Sequence, residues 1–467
     1  MIDTSLIYLS LAEAAQLVAK REVSPVDLTE ACIARAEALE GKLNAYLTMT
    51  FDTARKQAQV AADDIAAGRY RGPLHGIPFA IKDLYETAGV RTTAGSQLRE
   101  HFVPQEDART VELLKQAGIV LLGKLNLHEW AMGGTNVNEY YPTPHNPWDL
   151  ERVTGGSSGG SGAALAAGYC YGSLGTDTRG SIRIPAALCG ITGIKPTWGR
   201  VSIRGIIPLN WSLDHSGPMA RTAEDCAIIL NAIAGYDERD PTTADLPVPD
   251  YAASLEPLRL DGVRVGVPRN FFLDAGVVEP LMVEAVNAAR RTLASLGAEV
   301  TDVDFPQGVE FSASSAFFAE ASSYHEQQFK EHPEMYGKTI QERMRSNSGI
   351  TGVAYVRDRW KQLEVKQGVR NLMRDIDLLL TPTSPILPPK IAEVDTSIPG
   401  ATLLGRNTSP FNIAGIPTIS IPAGFSAEGL PIGVQLSGRW WEEGLVLRAA
   451  HAFQQVTDWH KRRPPVG

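Results

Sequence analysis

Cysteine is scarce in this chain. The 467 residues hold four, Cys32, Cys170, Cys189 and Cys226, scattered without metal-ligand spacing. Buried free thiols in a reducing compartment fit that usage, and no metal or other cofactor is expected. The zinc-hydrolase pattern His-Glu-x-x-His is also missing, because His128-Glu129 runs into Trp130-Ala131-Met132. No apolar run reaches the roughly 18 residues of a membrane-spanning helix. Met1-Ile2-Asp3-Thr4 gives no basic start leading into an apolar stretch, so no secretory leader and a cytoplasmic location are expected. Positive charge is not in excess. A formal net charge of −9 argues against nucleic acid as the main partner. Internal repeats and low-complexity tails are absent. What remains, 43% hydrophobic and 21% charged residues, is the composition of an ordinary globular protein.

Glycine and serine, by contrast, concentrate in one stretch, Gly155-Gly156-Ser157-Ser158-Gly159-Gly160-Ser161-Gly162. A flexible linker would have polar flanks, but this one runs into Ala163-Ala164-Leu165-Ala166-Ala167-Gly168-Tyr169-Cys170, which predicts a tightly packed helix. The stretch therefore reads as a turn onto a helix N-terminus, whose amides are suited to an anion or a developing oxyanion. A phosphate loop needs a closing Lys, and none follows Gly162. The letters of a Gly-x-Ser-x-Gly elbow are present, but no constrained His and acid accompany them. Another base is required. Gly76-Ile77-Pro78-Phe79-Ala80-Ile81-Lys82-Asp83 supplies a candidate, a short apolar strand ending in Lys82. A lysine buried among apolar neighbours loses its proton near neutral pH. The equally simple reading is a surface lysine closing a strand.

The remaining pattern alternates. Helices are predicted over 10–21, 25–39 and 51–68, forming an N-terminal helical layer over residues 1–70 or an oligomer contact. Further helices are predicted over 111–117, 183–190, 221–235, 277–296 and 443–455. Strands are predicted over 119–123, 171–176, 263–267, 298–303, 378–380, 418–421 and 432–436, with an extended segment at 191–196. Residues 200–218 read as irregular and 236–262 as a surface crossing. Residues 305–395 read as a mostly helical covering segment, rich in aromatics, either as extra helices on the sheet or as the shaper of a substrate mouth. The expected fold class is α/β, with a large mixed, mostly parallel central sheet and helices on both faces, in one domain over residues 1–467. Met132-Gly133-Gly134 in the 125–141 loop reads equally as a turn or a pocket wall.

Three motifs in register carry a resemblance to the amidase signature family. They are Gly76–Asp83, then Gly155–Ser161, then Gly175-Thr176-Asp177-Thr178-Arg179-Gly180-Ser181-Ile182-Arg183 followed by Gly193-Ile194-Lys195-Pro196-Thr197. The similarity extends to the N-terminal helices and to 411–438. It implies a Ser–cis-Ser–Lys triad, with Ser181 as nucleophile, Ser157 as bridging serine after a cis peptide, and Lys82 as base. It further implies an oxyanion hole of the Thr178, Arg179, Gly180 and Ser181 amides. Asp177 and Arg183 resemble the family's internal ion pair, and Ser158 and Ser161 its supporting hydrogen bonders. Arg179 departs from the pattern, which usually has Gly there.

The resemblance thus implies hydrolysis of a small-molecule carboxamide through an acyl-enzyme. Aryl amides, esters and carbamates share the attacked carbonyl and so fall within the same chemistry. Two alternatives stand beside it. One is a glutaminase-type subunit of a tRNA-dependent amidotransferase, although residues 354–360 do not look like that subfamily's glutamine-side segment. The other is a non-catalytic binding protein on the same fold. Loops at 125–141, 311–374 and 400–411 are expected to line the pocket, their aromatics hinting at an apolar or aryl group. A homodimer is the expected oligomer, with no membrane contact.

Overall fold

A computed structural model describes residues 5–308, 315–394 and 403–466. Its strands are β1 (Tyr46–Met49), β2 (Pro78–Lys82), β3 (Val120–Leu125), β4 (His145–Asn146), β5 (Asp149–Val153), β6 (Gly172–Thr176), β7 (Thr192–Lys195), β8 (Ser216–Ala220), β9 (Arg264–Pro268), β10 (Glu299–Val303), β11 (Leu378–Pro382), β12 (Thr418–Phe425) and β13 (Pro431–Gly438). Eleven of them make one sheet in the order β1-β3-β2-β6-β8-β7-β12-β13-β11-β9-β10, and β4 and β5 form a separate hairpin. The sheet is large and mixed. Parallel pairing occupies two blocks, β3-β2-β6 and β11-β9-β10, and the middle of the sheet is antiparallel. The parallel share is therefore four pairings of ten, because β8 and the β12–β13 hairpin enter between the blocks in alternating directions.

Three of the early helices begin at capping boxes. In α1 (Leu11–Ala19), Ser10 and Glu13 bond each other's backbone, and in α2 (Pro25–Leu43), Ser24 and Asp27 do the same with Pro25 at the first helical position. In α7 (Ala223–Ile233), Thr222 and Asp225 form the third box. Between α2 and α7 come α3 (Phe51–Ala66), α4 (Arg109–Ala117), α5 (Gly159–Ala167) and α6 (Arg183–Cys189). Later helices are α8 (Pro280–Ser295), α9 (Ser315–Glu331), α10 (Lys338–Asn347), α11 (Gly352–Leu372), α12 (Ser409–Ala414) and α13 (Glu443–Gln455). Strand β6 shows that helices cover both faces. A Cβ added at Gly172 would strike Phe79 and Ile229 of α7, whereas one at Gly175 would strike Ser158 and Ile182, at the starts of α5 and α6. Positions 172 and 175 lie on opposite sides of a strand, so α7 and the α5–α6 pair do too.

Several strands escape sequence reading. β8 is Ser-Gly-Pro-Met-Ala, whose Gly and Pro read as a turn, yet it is a fully buried central strand. β1 is four residues with one buried, and β4 and β5 are short and polar. α2 and α3 lie over the β3–β2 end, with α3 packed on β3 and α2 on β2, whereas α1 packs on α7, where the Ala12 amide donates to Asp225 Oδ1 at 3.0 Å. α9 and α10 pack through Phe317, Ala321, Ile340 and Met344 onto Trp130, Ala131, Met132 and Leu209. Residues 311–314 and 400–402 of the expected pocket loops lie outside the described residues.

α5 approaches the loop after β3 so closely that only glycine fits. A Cβ on Gly160 would lie 2.5 Å from both the backbone N and O of Asn126. A Gly160→Ala change forces backbone apart and is expected to cost about 1–3 kcal/mol, read as a lowered midpoint in urea unfolding.

Candidate active site

Lys82 ends β2, and Ser157 ends the turn before α5, just after a cis Gly156–Ser157 peptide. Both side chains are fully buried. Lys82 Nζ donates to Ser157 Oγ at 2.7 Å and to Thr176 Oγ1 at 2.7 Å. Burial disfavours the ammonium and brings its pKa down to about 7, against the attraction of Asp214 and Asp177. The surface reading of Lys82 is thereby excluded.

Ser181 follows β6 on the loop into α6, is 7% exposed, and lines the pocket. Its carbonyl accepts from the Ser158 amide at 3.2 Å, which ties the two serine-bearing segments together. The loop is shaped by the Asp177 carboxylate. It accepts from the amides of Gly180 (2.8 Å), Ile182 (3.2 Å) and Arg183 (3.4 Å), and from Arg183 Nε and Nη2, both at 3.0 Å. Burial would raise the Asp177 pKa, but the charge and hydrogen bonds of Arg183, with Lys195 and Asn412, hold it well below the usual carboxylate range. Asn412 of α12 and Gln435 of β13 take up the rest of the Arg183 guanidinium, at 2.7 and 3.0 Å.

Two sequence expectations change here. The Gly180 amide is committed to Asp177 Oδ1, so it is not a free oxyanion donor. Among the described residues, the amides of Thr178, Arg179 and Ser181 have no acceptor. The N-terminus of α5 is likewise spent. Its Gly159 amide donates to Asn136 Oδ1 and its Gly160 amide to the Asn126 carbonyl, each at 3.0 Å, so it anchors the turn and faces no ligand. Ser158 and Ser161 tie α5 to β6 through the Thr176 and Leu174 carbonyls.

The pocket beside Ser181 encloses about 720 Å³, counting its mouth. Met132, Gly133 and Gly134 line it, together with Thr178, Arg179, Ile184 and Leu209. Phe317 and Phe318 of α9 and Arg343 of α10 complete the wall. Gly133 is required there, since a Cβ would fall 2.2 Å from the His128 ring. Sequence reasoning left out Thr176 as a partner of Lys82, although it stands within a motif. It also left out Asp214, which accepts from Thr178 Oγ1 at 2.5 Å. Burial raises the Asp214 pKa to about 6 despite the hydrogen bonds from Thr178, Asn210 and Leu209. Asp214 lies in a stretch read as irregular, and no local signal marks it.

The profile of the family described as Amidase matches residues 27–447. A protein of Moorella thermoacetica, named as one of the subunits of glutamyl-tRNA(Gln) amidotransferase, is 41% identical over 488 residues, 99% of each chain. A solved structure described as a vestigial protein complex that reveals the origins of an s-triazine catabolic enzyme superposes with a TM-score of 0.89. It is 35% identical and covers 96% of this chain and 98% of its own. The structure of 6-aminohexanoate cyclic dimer hydrolase gives a TM-score of 0.90 at 29% identity, covering 98% of this chain and 99% of its own.

Because Asp177 and Arg183 are both fully buried, removing one charge strands the other. Asp177→Asn is expected to cost about 3–5 kcal/mol of stability, measured by urea unfolding.

Proposed function

Because the chain belongs to the amidase family, whose members hydrolyse amide C–N bonds, we propose that it cleaves a small-molecule carboxamide through a seryl acyl-enzyme. The supporting observation is the buried Lys82 Nζ, 2.7 Å from Ser157 Oγ in a water-poor site. In this reading neutral Lys82 takes a proton from Ser157, which takes one from Ser181. Ser181 Oγ bonds to the carbonyl carbon, and the amides of Thr178, Arg179 and Ser181 hold the oxyanion. The C–N bond then breaks as the proton returns through Ser157 to the leaving nitrogen. Water adds to the acyl-enzyme by the same relay and releases Ser181. Esters and carbamates offer the same carbonyl and belong to the proposal. So do a cytoplasmic setting and a homodimer.

One observation favours a second reading. Relatives at 41–42% identity over nearly the whole chain are named as subunits of glutamyl-tRNA(Gln) amidotransferase. On that reading the same triad serves a multi-subunit assembly that handles charged tRNA. The purified chain alone separates the two. Mass spectrometry of products from a primary amide, an anilide, a carbamate, an ester and glutamine shows turnover in the first reading. The second reading requires added subunits for any turnover.

Two outcomes test the chemistry. Ser181→Ala is expected to retain the fold by circular dichroism and to lose about 10³-fold or more in kcat, more than a single oxyanion donor supplies. Retained turnover would remove Ser181 from the mechanism. The pH profile follows from the Lys82 pKa near 7. Protonated Lys82 cannot accept a proton, so kcat/KM is expected to rise with pH through about 7 and to level off above it. A profile flat from pH 5.5 to 8.5 would contradict this assignment.

A further inference from the structure

The pocket wall holds two cations that no acid among the described residues neutralises. Arg179 and Arg343 both line it, and among the described residues neither forms an ion pair. The nearby carboxylates are otherwise engaged. Asp177 is held by Arg183, Asp214 by Thr178 and by two loop amides, and Glu320 by Ser212 and Tyr355. Arg343 donates through Nη1 to the Met132 carbonyl. Arg179 is pinned at both ends by the start of α12. Its carbonyl accepts from Thr408 Oγ1 at 2.5 Å, and its Nε donates to Ser409 Oγ at 3.1 Å. Its guanidinium carbon lies 5.4 Å from the centre of the Phe317 ring. Neither Nη atom of Arg179 has a partner among the described residues.

Such an arrangement is poor for an empty or wholly apolar pocket. Two guanidinium groups repel each other, and both are only partly exposed, so water screens them incompletely. The Arg179 pKa falls to about 10 through burial and the charge of Arg343. Burial also lowers that of Arg343. A bound anion relieves both effects, and a carboxylate matches the guanidinium fork with two parallel hydrogen bonds. The rest of the lining, Ile184, Leu209, Phe317 and Phe318, suits a hydrocarbon body.

Resting on the proposed amide hydrolysis, we infer that the substrate is an amide whose hydrocarbon body carries a carboxylate, held by Arg179 together with Arg343. Arg179 then sets specificity through its side chain, while its backbone amide serves the oxyanion.

Shape-matched pairs test this. Glutaramate is compared with 5-methylhexanamide, and 4-carboxybenzamide with 4-isopropylbenzamide, in wild type, Arg179→Gln and Arg179→Lys. Wild type is expected to favour the carboxylate member of at least one pair by about tenfold to hundredfold in kcat/KM, mainly through KM. Arg179→Gln should reduce that preference by about tenfold or more, and Arg179→Lys should keep part of it. Preference for the neutral members, or a preference unaltered in Arg179→Gln, overturns the inference. Calorimetric binding of glutarate and terephthalate needs no turnover. Binding that weakens at least about tenfold in Arg179→Gln supports the carboxylate subsite even if no amide is cleaved, which would count against the hydrolytic reading alone. Absence of binding in wild type, together with no carboxylate preference, overturns the subsite while leaving hydrolysis intact.

Discussion

The Asp177 carboxylate, fully buried and shared among three amides and the Arg183 guanidinium, holds the Ser181 loop in one shape. A loop of this length left in water would sample many conformations, and each ordered residue carries an entropic cost of about 1–2 kcal/mol. Here the cost is offset by charge-assisted hydrogen bonds between fully buried side chains. Arg183 then passes the constraint outward. It bonds Gln435 in β13 and Asn412 in α12, and Asn412 returns a bond to Asp177. Sheet, loop and late helix thus share one charged centre, and α12 also presents the Ser409 hydroxyl that fixes Arg179. Geometry for proposed catalysis and geometry for proposed recognition have a common origin.

Desolvation is the second constraint, and it acts in opposite senses within a few residues. Among the described residues Lys82 has no acid in contact, so burial favours the neutral amine. On the adjacent strand Lys124 is as deeply buried but lies 3.2 Å from Asp83, whose charge works against the effect of burial. Asp83 also accepts from the Thr93 amide and hydroxyl at 2.8 and 2.6 Å. In the proposed mechanism one lysine is the base, while its neighbour braces the strand end through Asp83. The difference lies in the partner, because both are strand residues with no exposure.

Legibility in the sequence followed how local the physics was. α13 is read to the residue, and the capped helices α1, α2 and α7 are read to within a few, since caps and 3.6-residue periodicity are local signals. That Lys82, Ser157 and the Ser181 loop come together was legible only through long motifs in register. Chemistry alone suggested a base without placing it against its serine. β8 was missed because its Gly and Pro contradict strand propensity, and only pairing with β6 and β7 makes it a strand. The Gly180 amide was misassigned because its commitment depends on where the Asp177 side chain turns, a tertiary fact. Arg343 lies 164 positions from Arg179 in sequence, and no periodicity connects them.

Arg179 shows how a departure from a family pattern can be accommodated without loss of its frame. Glycine is needed where φ is positive or where the chain is crowded. Gly180 meets both conditions, with φ of 126° and a would-be Cβ 2.1 Å from Thr408 Oγ1. Arg179 meets neither requirement for glycine, since its φ is not positive and its side chain leaves the loop toward Phe317 and Ser409. A side chain at 179 therefore leaves the backbone amide where a glycine would place it. What it changes is the pocket, adding a second cation beside Arg343 at a wall whose other members are mostly apolar side chains and glycine. The position can vary because the carboxylate of Asp177, and not residue 179, sets the loop. That separation lets one residue offer a backbone amide to the proposed oxyanion hole and a side chain to the pocket.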